Sequence, residues 1–343
     1  MLTRFFSGRI IVNKSTNIYL NLAKELEMLY SPPKDENILY LWRNNPVVVI
    51  GKHQNPYKEC NLPFMKAKNI VLSRRPTGGG AVYQDLGNTC WSFLSPKFDP
   101  EYNNKIIIDS LSTLGIKATA TGRNDIEVNG KKVSGSAFRK AQNRSIHHGT
   151  MIMNVNMEHL VESLTVDTSK LIAKGVESVR SRVMNLNEAN KLVNHDAFCD
   201  SIIKSFKLIH ADAKVEEVNE DSLLNESEVR LRYNELSSHD WIYGKASKAM
   251  VSTSTRYQWG GFELGLTIEN GRVTKCIVHS DCLYTDLVES LENSINFYIK
   301  NNLASVTEVL NKEFTKYGDD PLKSMSKELK QWVHLELSKY SIQ

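Results

Sequence analysis

Three consecutive glycines lie directly before an apolar, strand-like run of the sequence. The stretch RRPTGGGAVYQDLGNTCWSFL begins with Arg74 and Arg75 and continues with Gly78, Gly79 and Gly80. Each glycine lowers local stability, but glycines adopt positive φ and let a ligand touch the main chain. The guanidinium forks of arginine suit carboxylate or phosphate. The stretch predicts either a loop that binds an anion or a glycine-rich hairpin beside solvated arginines.

Length and composition limit the class of protein. A chain of 343 residues is long enough for two domains, and its 41% hydrophobic and 24% charged residues are ordinary for a soluble globular protein. The net charge of +4 is too small to indicate a nucleic-acid partner. No apolar run approaches the roughly 18 residues that a membrane span needs. The five cysteines show no CxxC or zinc spacing, which favours a reduced intracellular setting.

The N-terminal segment allows two interpretations. The first 24 residues contain four basic residues and no acidic one, which is typical of a short organellar targeting segment. However, Ile10–Val12 predicts a strand and Thr16–Tyr30 predicts a helix, so only about eight residues are spare. The compartment therefore stays open between the cytoplasm and a mitochondrial-type organelle matrix.

The first 245 residues mix strand and helix patterns. Strands are predicted at Ile38–Trp42 and Val47–Ile50. The Asn129-Gly130 pair predicts a type I′ hairpin turn between Ile126–Val128 and Lys132–Val133. The predicted helices are Lys105–Leu114, Met157–Leu164, Glu188–Leu208 and Ser227–Ser237.

A second segment has its own pattern. It reads as a β-hairpin that turns at Asn270-Gly271, followed by three helical stretches. The stretch before this hairpin is small, basic and poor in branched apolar residues. We predict a first domain over residues 1–245, a hinge over 246–252 and a second domain over 253–343.

The first hairpin carries candidate functional residues. Lys132 follows the tight turn and precedes the small-residue run SGSA, which would let a ligand lie against the strand. Alternatively, Lys132 is a solvated hairpin lysine beside Lys131. Asn124 and Asp125 lie next to this hairpin and are either site residues or a polar turn.

Two further stretches are ambiguous in the same way. In HHGT, adjacent strand residues point to opposite faces, so His147 and His148 are not expected to bind one metal ion together. One of the two is expected in the core or in the wall of a site. In KGVESVRSR, the residues Lys174, Arg180 and Arg182 form either a basic binding loop or a solvated surface loop.

Several catalytic templates are missing from the sequence, namely the P-loop, GxGxxG, GxSxG and HExxH patterns.

Taken in order, these stretches closely resemble the lipoate–protein ligase A family. The stretches that agree are LWRNNPVVVIGKHQNPYKECN, RRPTGGGAVYQDLGNTCWSF, GRNDIEV, KKVSGSAFR, HHGTMIMN, KGVESVRSRVMNL, WIYG and WGGFEL. The resemblance implies an α/β (α+β) catalytic domain like that of biotin ligases, with mixed sheets and flanking helices, plus a small α+β accessory C-terminal domain. It also implies an enzyme that adenylates lipoate with ATP and Mg²⁺ and passes the lipoyl group to a lysine. The implied acceptors are lipoyl domains of 2-oxoacid dehydrogenases and the glycine cleavage H protein; no prosthetic group, nucleic acid or membrane is expected.

The resemblance also implies roles for individual residues. Lys132 matches the family's essential lysine, which would stabilise charge in both half-reactions, and Asp125 would help to hold Mg²⁺. Val82 and Tyr83 are expected to line a slot for the lipoyl tail, and the basic loop would close over the product. The implied lipoate-binding residues are Arg74, Arg75, Gly78, Gly79, Gly80, Lys132, Ser136 and His148. The implied nucleotide-binding residues are Arg75, Gly80, Ala81, Val82, Tyr83, Asn124, Lys132, Lys174, Arg180 and Arg182.

Two alternatives to the ligase remain open. One is a lipoyl- or octanoyl-transferase of the same superfamily, which does not activate free acid. The intact second domain and the full basic loop favour the ligase over it. The other is a non-catalytic, biotin-ligase-like binding protein, which is disfavoured because the sequence lacks the GRGRxGR signature.

Overall fold

The structure, a computed structural model, describes residues 7–30, 35–141, 143–165, 182–244, 246, 251–270, 272–317 and 321–340. The chain divides into two compact units. The first unit comprises Met1–Ile50, Tyr57–Arg75 and Ala81–Ile242, and the second comprises Gly51–Pro56, Pro76–Gly80 and Tyr243–Gln343. The predicted hinge lies mostly outside the described residues, so the domain boundaries remain a prediction.

Two sheets form the centre of the first unit. Its strands are β1 (Ser7–Asn13), β2 (Glu36–Trp42), β3 (Val47–Ile50), β4 (Val71–Arg74), β5 (Val82–Gln84), β6 (Asn88–Ser95), β7 (Thr119–Thr121), β8 (Asp125–Val128), β9 (Lys131–Lys140), β10 (Ser145–Ile152) and β11 (Lys214–Val218). Among the described strands, the larger sheet has the order β11-β1-β2-β6-β10-β9-β8-β7 and the smaller has the order β4-β3-β5. β1 pairs in parallel with β2 and β11, and β3 pairs in parallel with β4, so both sheets are mixed as predicted.

Helices accompany these strands along the chain. The described helices up to residue 243 are α1 (Ile18–Tyr30), α2 (Pro56–Glu59), α3 (Leu62–Ala67), α4 (Pro100–Thr113), α5 (Met157–Ser163), α6 (Leu186–Ala189), α7 (His195–Ile209), α8 (Glu220–Asn225), α9 (Ser227–Leu236) and α10 (His239–Tyr243). Nowhere in the described ranges is a helix both long and apolar enough to cross a membrane.

Strand β2 shows where the core lies. Leu39 and Leu41 belong to one buried cluster, which includes residues of α4 and α7. Ile38, Tyr40 and Trp42 belong to a second cluster, which includes residues of α1 and α9. Successive side chains of a strand point to opposite faces, so the large sheet is covered on both faces. This explains why β2 reads as a continuous apolar run rather than as an alternating one.

Two helix predictions needed correction. The helix predicted from residue 105 begins at residue 100, because the side chain of Asp99 accepts a hydrogen bond from the backbone N–H of Tyr102 at 3.1 Å. The single helix predicted over Glu188–Leu208 is wrong. The structure has two helices there, α6 and α7, and the Asn194 side chain caps the start of α7 by accepting from the N–H of Ala197 at 3.0 Å.

The predicted hairpin turn is confirmed. Asn129 has φ of 52° and Gly130 has φ of 73°, as a type I′ turn requires. Strand β9 continues well beyond the predicted Lys132–Val133, up to residue 140. The hairpin therefore lies between the edge strand β7 and the more central strand β10 of the large sheet.

The second unit contains an antiparallel sheet and three described helices. Its elements are β12 (Val251–Tyr257), β13 (Gly260–Glu269), β14 (Arg272–Ser280), α11 (Thr285–Lys300), α12 (Val306–Phe314) and α13 (Pro321–Leu337). Glu269 pairs with Arg272, which confirms the second predicted hairpin. Phe262 and Leu264 of β13 share a buried cluster with Leu291 of α11. The three predicted helical stretches are confirmed.

Candidate active site

Lys132 and Asp125 form an ion pair on the first hairpin. The Nζ atom of Lys132 lies 2.7 Å from Oδ1 of Asp125, and the two side chains are 35% and 27% exposed. A β-bulge brings them together, because Ile126 pairs with residue 134 whereas Glu127 pairs with Lys132. Val133 is thus an extra residue on β9, and the bulge places Lys132 on the same face as Asp125. Neither a simple solvated lysine nor a regular hairpin describes this arrangement.

Asp125 is the residue predicted to help hold Mg²⁺. In the part of the chain that the structure describes, no group of three or more His, Cys, Asp or Glu side chains could hold a metal ion. A single carboxylate nevertheless fits Mg²⁺, which is usually bound by one or two carboxylates together with substrate phosphates. The magnesium role therefore remains a prediction that depends on bound ATP.

Asn124 and Ser136 bind to one another across the hairpin. The side-chain amide of Asn124 donates to the carbonyl oxygen of Ser136 at 2.6 Å. The backbone N–H and the hydroxyl of Ser136 donate to the carbonyl oxygen of Asn124, at 2.9 and 3.2 Å. These bonds fix the backbone directly before Asp125. The predicted nucleotide and lipoate contacts of the two residues remain predictions.

The segment that follows the predicted basic loop pairs with strand β9. Lys174 and Arg180 lie outside the described residues, whereas Arg182 is described and is half-buried. The backbone N–H of Met184 donates to the carbonyl oxygen of Lys132 at 3.2 Å, and Val183 forms a parallel bridge with Lys132. The segment that follows the basic loop is therefore attached to the backbone of the candidate catalytic lysine.

The two arginines before the glycines are buried rather than solvated. The guanidinium of Arg74 donates to the carbonyl oxygens of Trp241 and Ile242, at distances from 2.6 to 3.1 Å. The guanidinium of Arg75 donates to the carbonyl oxygen of Val49 at 3.0 Å. Burial lowers the pKa of both to about 10, so both stay charged at neutral pH. The alternative of solvated hairpin arginines is wrong, and the implied lipoate contacts remain predictions.

The three glycines lie in the second unit and differ from one another. A Cβ atom on Gly78 would lie 2.2 Å from the carbonyl oxygen of Cys282, and the N–H of Gly79 donates to that oxygen at 3.2 Å. A Cβ atom on Gly51 would lie 2.2 Å from the carbonyl oxygen of Gly79. A Cβ atom on Gly80 would meet no atom of the described residues within 4 Å. Close contact with the backbone therefore explains why residue 78 is a glycine. No contact of this kind with the described residues explains the glycine at position 80.

Strand β5 does not place its two candidate residues on one face. Val82 and Tyr83 are adjacent, so their side chains point to opposite sides. The hydroxyl of Tyr83 donates to Asp85 at 3.1 Å and lies 3.3 Å from Nδ1 of His159. Burial raises the pKa of this phenol, which keeps it a donor. The two side chains therefore cannot face the same side of the strand, and their part in lining a slot for the lipoyl tail remains a prediction. Nucleotide contacts of the backbone from Ala81 onward remain a prediction.

Both histidines of HHGT are buried, on opposite faces of β10. His147 packs edge-on against Trp91, and burial lowers its pKa to about 3. The Nδ1 atom of His148 lies 3.0 Å from the carboxylate of Glu25, which is itself only 1% exposed. Sequence reasoning placed one histidine in a core or site wall and missed that both are there.

Glu25 is a candidate site residue that sequence reasoning missed. Besides His148, it accepts a hydrogen bond from the hydroxyl of Ser92, which in turn accepts one from Nε1 of Trp42 at 3.2 Å. Glu25 also interacts favourably with the charge of Arg75. The signal was present in the sequence, since Glu25 lies at helical spacing from Leu22 on the apolar face of α1.

Family models match both parts of the chain. The lipoyl protein ligase A/B catalytic domain matches residues 17–207, and the bacterial lipoate protein ligase C-terminus matches residues 246–332. Lipoate-protein ligase A of Psychrobacter cryohalolentis is 41% identical over 295 residues, which cover 84% of this chain and 87% of that protein. Lipoate-protein ligase A of Bdellovibrio bacteriovorus is 40% identical over 294 residues, with the same two coverages of 84% and 87%.

Solved structures with the same fold agree with these matches. LipL1 of Plasmodium falciparum, in complex with lipoate, has a TM-score of 0.82 and 32% identity, and the match covers 96% of this chain and all of that one. The bipartite lipoate protein ligase of Thermoplasma acidophilum, solved with its E2 lipoyl domain, has a TM-score of 0.60 and 27% identity over 72% of this chain and 100% of that one. A lipoate-protein ligase A bound with ATP has a TM-score of 0.58 and 25% identity over 69% of this chain and 99% of that one. With both family models matched and relatives at 40% identity along most of its length, this chain belongs to the lipoate–protein ligase A family.

Proposed function

We propose that this protein is an ATP-dependent lipoate–protein ligase that forms lipoyl-AMP and then transfers the lipoyl group to a lysine of an acceptor protein. The observation that carries this proposal is the partly exposed ammonium of Lys132, held 2.7 Å from Asp125 within the segment that matches the catalytic-domain model. Membership of the family indicates the substrates, and Lys132 on this hairpin provides a positive charge for the reaction.

The reaction needs activation because a carboxylate is a poor electrophile. In the first half-reaction, a carboxylate oxygen of lipoate attacks the α-phosphorus of ATP, and pyrophosphate leaves. In the second, the acceptor amine attacks the acyl carbon of lipoyl-AMP, an amide bond forms, and AMP leaves while the amine loses a proton. Negative charge develops on phosphate oxygens in the first step and on the acyl oxygen in the second. A preorganised cation stabilises both.

Lys132 is proposed as that cation. Its side chain ends in an ammonium and lies on a hairpin with a type I′ turn and a one-residue bulge. Asp125, together with the ATP phosphates, would hold Mg²⁺, whose charge would offset that of the phosphates. Asn124 and Ser136 would keep the backbone beside Asp125 in place through the hydrogen bonds that they exchange.

The remaining predicted residues would bind the two substrates. Arg75 stays charged although it is buried, so it would attract an anion, and Gly80 offers open space next to its backbone. Lipoyl domains are the proposed acceptors, since the T. acidophilum ligase was solved with such a domain. The glycine cleavage H protein is a further proposed acceptor, on the family resemblance alone.

The test is to incubate the pure protein with ATP, Mg²⁺ and lipoate in the absence of acceptor. The ligase proposal expects lipoyl-AMP and pyrophosphate. A protein that modifies an acceptor only when it is given preformed lipoyl-AMP or a lipoylated donor would instead be the transferase of the same superfamily.

A further inference from the structure

Gly135 lies where the side chain of Lys132 crosses strand β9. It pairs with Asp125 on the neighbouring strand. A Cβ atom on Gly135 would lie 2.8 Å from Nζ and 2.9 Å from Cε of Lys132, and 3.8 Å from Oδ1 of Asp125. Real Cβ contacts below 3.0 Å essentially do not occur. The side chain of an alanine at position 135 would therefore clash with the Lys132 side chain in its present position.

The lysine, rather than the backbone, would yield to such an alanine. The two close atoms belong to the end of a flexible side chain, and no backbone atom of the described residues is among the three nearest atoms to the added Cβ. Gly135 also has no positive φ, so its backbone conformation suits any residue. A side chain at this position would consequently cost the fold little and would move the ammonium of Lys132.

We propose that Gly135 is a positioning residue, which leaves the space in which the ammonium of Lys132 lies against Asp125. The bulge at Val133 turns Lys132 to the face of Asp125, and Gly135 provides the room for it on that face. The functional consequence rests on the proposed function, because it assumes that the ammonium stabilises charge in the ligase reaction. The position of the ammonium itself does not depend on that assumption.

The activity test compares Gly135→Ala with the wild type in the full-length protein. Displacing a catalytic group by about 1 Å can cost on the order of 100-fold in rate, so we expect kcat for lipoyl-AMP formation to fall by about tenfold to 100-fold. The thermal midpoint should stay unchanged. In a Lys132→Ala background, Gly135→Ala should cause no further loss, because no lysine remains to be displaced.

Two activity results would overturn the proposal. One is unchanged kcat in Gly135→Ala. The other is an equal loss of activity in the wild-type and Lys132→Ala backgrounds, since an effect that survives without Lys132 does not act through it. A lowered thermal midpoint would show that Gly135 supports the fold instead of the lysine.

A second measurement is independent of function. Trace acetylation of lysine amines, read by mass spectrometry, would compare Lys132 with Lys131 as an internal reference. In Gly135→Ala, labelling of Lys132 relative to Lys131 should rise, because only 35% of the Lys132 side chain is exposed in the wild type. An unchanged ratio would overturn the positioning role. If the ratio rises but the wild type forms no lipoyl-AMP, the positioning role stands and the proposed function fails.

Discussion

Gly78 in the second unit and Gly135 in the first lack a side chain for different reasons. At Gly78, an added Cβ would meet the backbone carbonyl oxygen of Cys282 at 2.2 Å. At Gly135, it would meet the end of the Lys132 side chain at 2.8 Å. A backbone oxygen cannot move without the residues on either side of it, whereas the end of a lysine side chain rotates about several bonds. We infer that a side chain at position 78 would destabilise the fold, whereas a side chain at position 135 would displace the ammonium of Lys132.

Gly80 completes this comparison. It directly follows the tightly packed Gly78 and Gly79, yet a Cβ atom there would meet nothing within 4 Å. Among the residues that the structure describes, none comes close enough to such a Cβ atom to require a glycine there. A bound ligand that approaches the backbone would require one. The packing around the three glycines therefore differs, and a ligand contact at Gly80 remains a prediction.

The largest effect is expected for Lys132→Met, which tests the functional side of the comparison directly. Removing one preorganised donor typically costs about 3–4 kcal/mol of transition-state stabilisation, or roughly 10²–10³ in rate. We expect a loss at least that large in both adenylation and transfer, since the donor is a full charge. Single-turnover assays of each half-reaction would measure it.

Lys131→Met is the matched control for that substitution. Lys131 is the neighbouring residue on β9, and its side chain is exposed. Its substitution should leave both rates close to those of the wild type. The role of Lys132 would be refuted by equal activities of the two variants, or by a Lys132→Met protein that loses activity only because it unfolds.

Gly78→Ala tests the structural side of the comparison. The added methyl group would force the backbone at Cys282 or the backbone of residues 76–80 to shift, and overpacking of this kind typically costs about 1–3 kcal/mol. Chemical denaturation should show this loss in the free energy of unfolding of the second unit. Gly80→Ala is the control and should retain wild-type stability, while its KM values for ATP and lipoate should rise if a ligand approaches that backbone. Equal destabilisation by both substitutions would contradict the distinction.

The smallest effect concerns the segment Gly51–Pro56, which packs beside the glycine loop in the second unit. Glu289 contacts the side chains of Lys52 and His53. Hydrogen bonds from His53 and Lys52 lower the pKa of Glu289 to about 2, although burial opposes this. Because the folded pKa lies below the unfolded value of 4.5, this contribution to stability is present above about pH 4.5 and is lost as the pH falls towards 2.

Glu289→Gln should remove that acid-dependent part of stability. The carboxylate is 35% exposed, so the effect should be modest, at most about 1 kcal/mol. Unfolding measured between pH 5 and pH 2 should show wild type and variant converging as the pH falls. Glu269 is exposed on the β13–β14 hairpin, so Glu269→Gln is the control. Its free energy of unfolding should show the same pH dependence as that of the wild type. A constant difference between Glu289→Gln and the wild type across this range would mean that the carboxylate does not act through its charge.

Several hairpins and helices could be predicted from local sequence patterns. The two Asn-Gly pairs located both hairpins, because only residues that tolerate positive φ form such turns. Helix α9 was predicted almost to the residue from its periodicity. The break between α6 and α7 was missed, although the Asn194 cap that produces it is a local signal. The same patterns could not show the partners of Tyr83, whose hydroxyl contacts both Asp85 and the distant His159.

The sequence by itself determined the family, the mixed α/β character and the candidate lysine, because these depend on ordered motifs and on periods that each segment carries locally. Only the tertiary structure decided which atoms share space. It joined Glu25 to His148, turned Lys132 onto Asp125 through a one-residue bulge, and set Gly78 against Cys282. Each of these contacts joins separate strands, helices or loops of the chain. Such contacts depend on register and packing between elements, which no single stretch of sequence encodes.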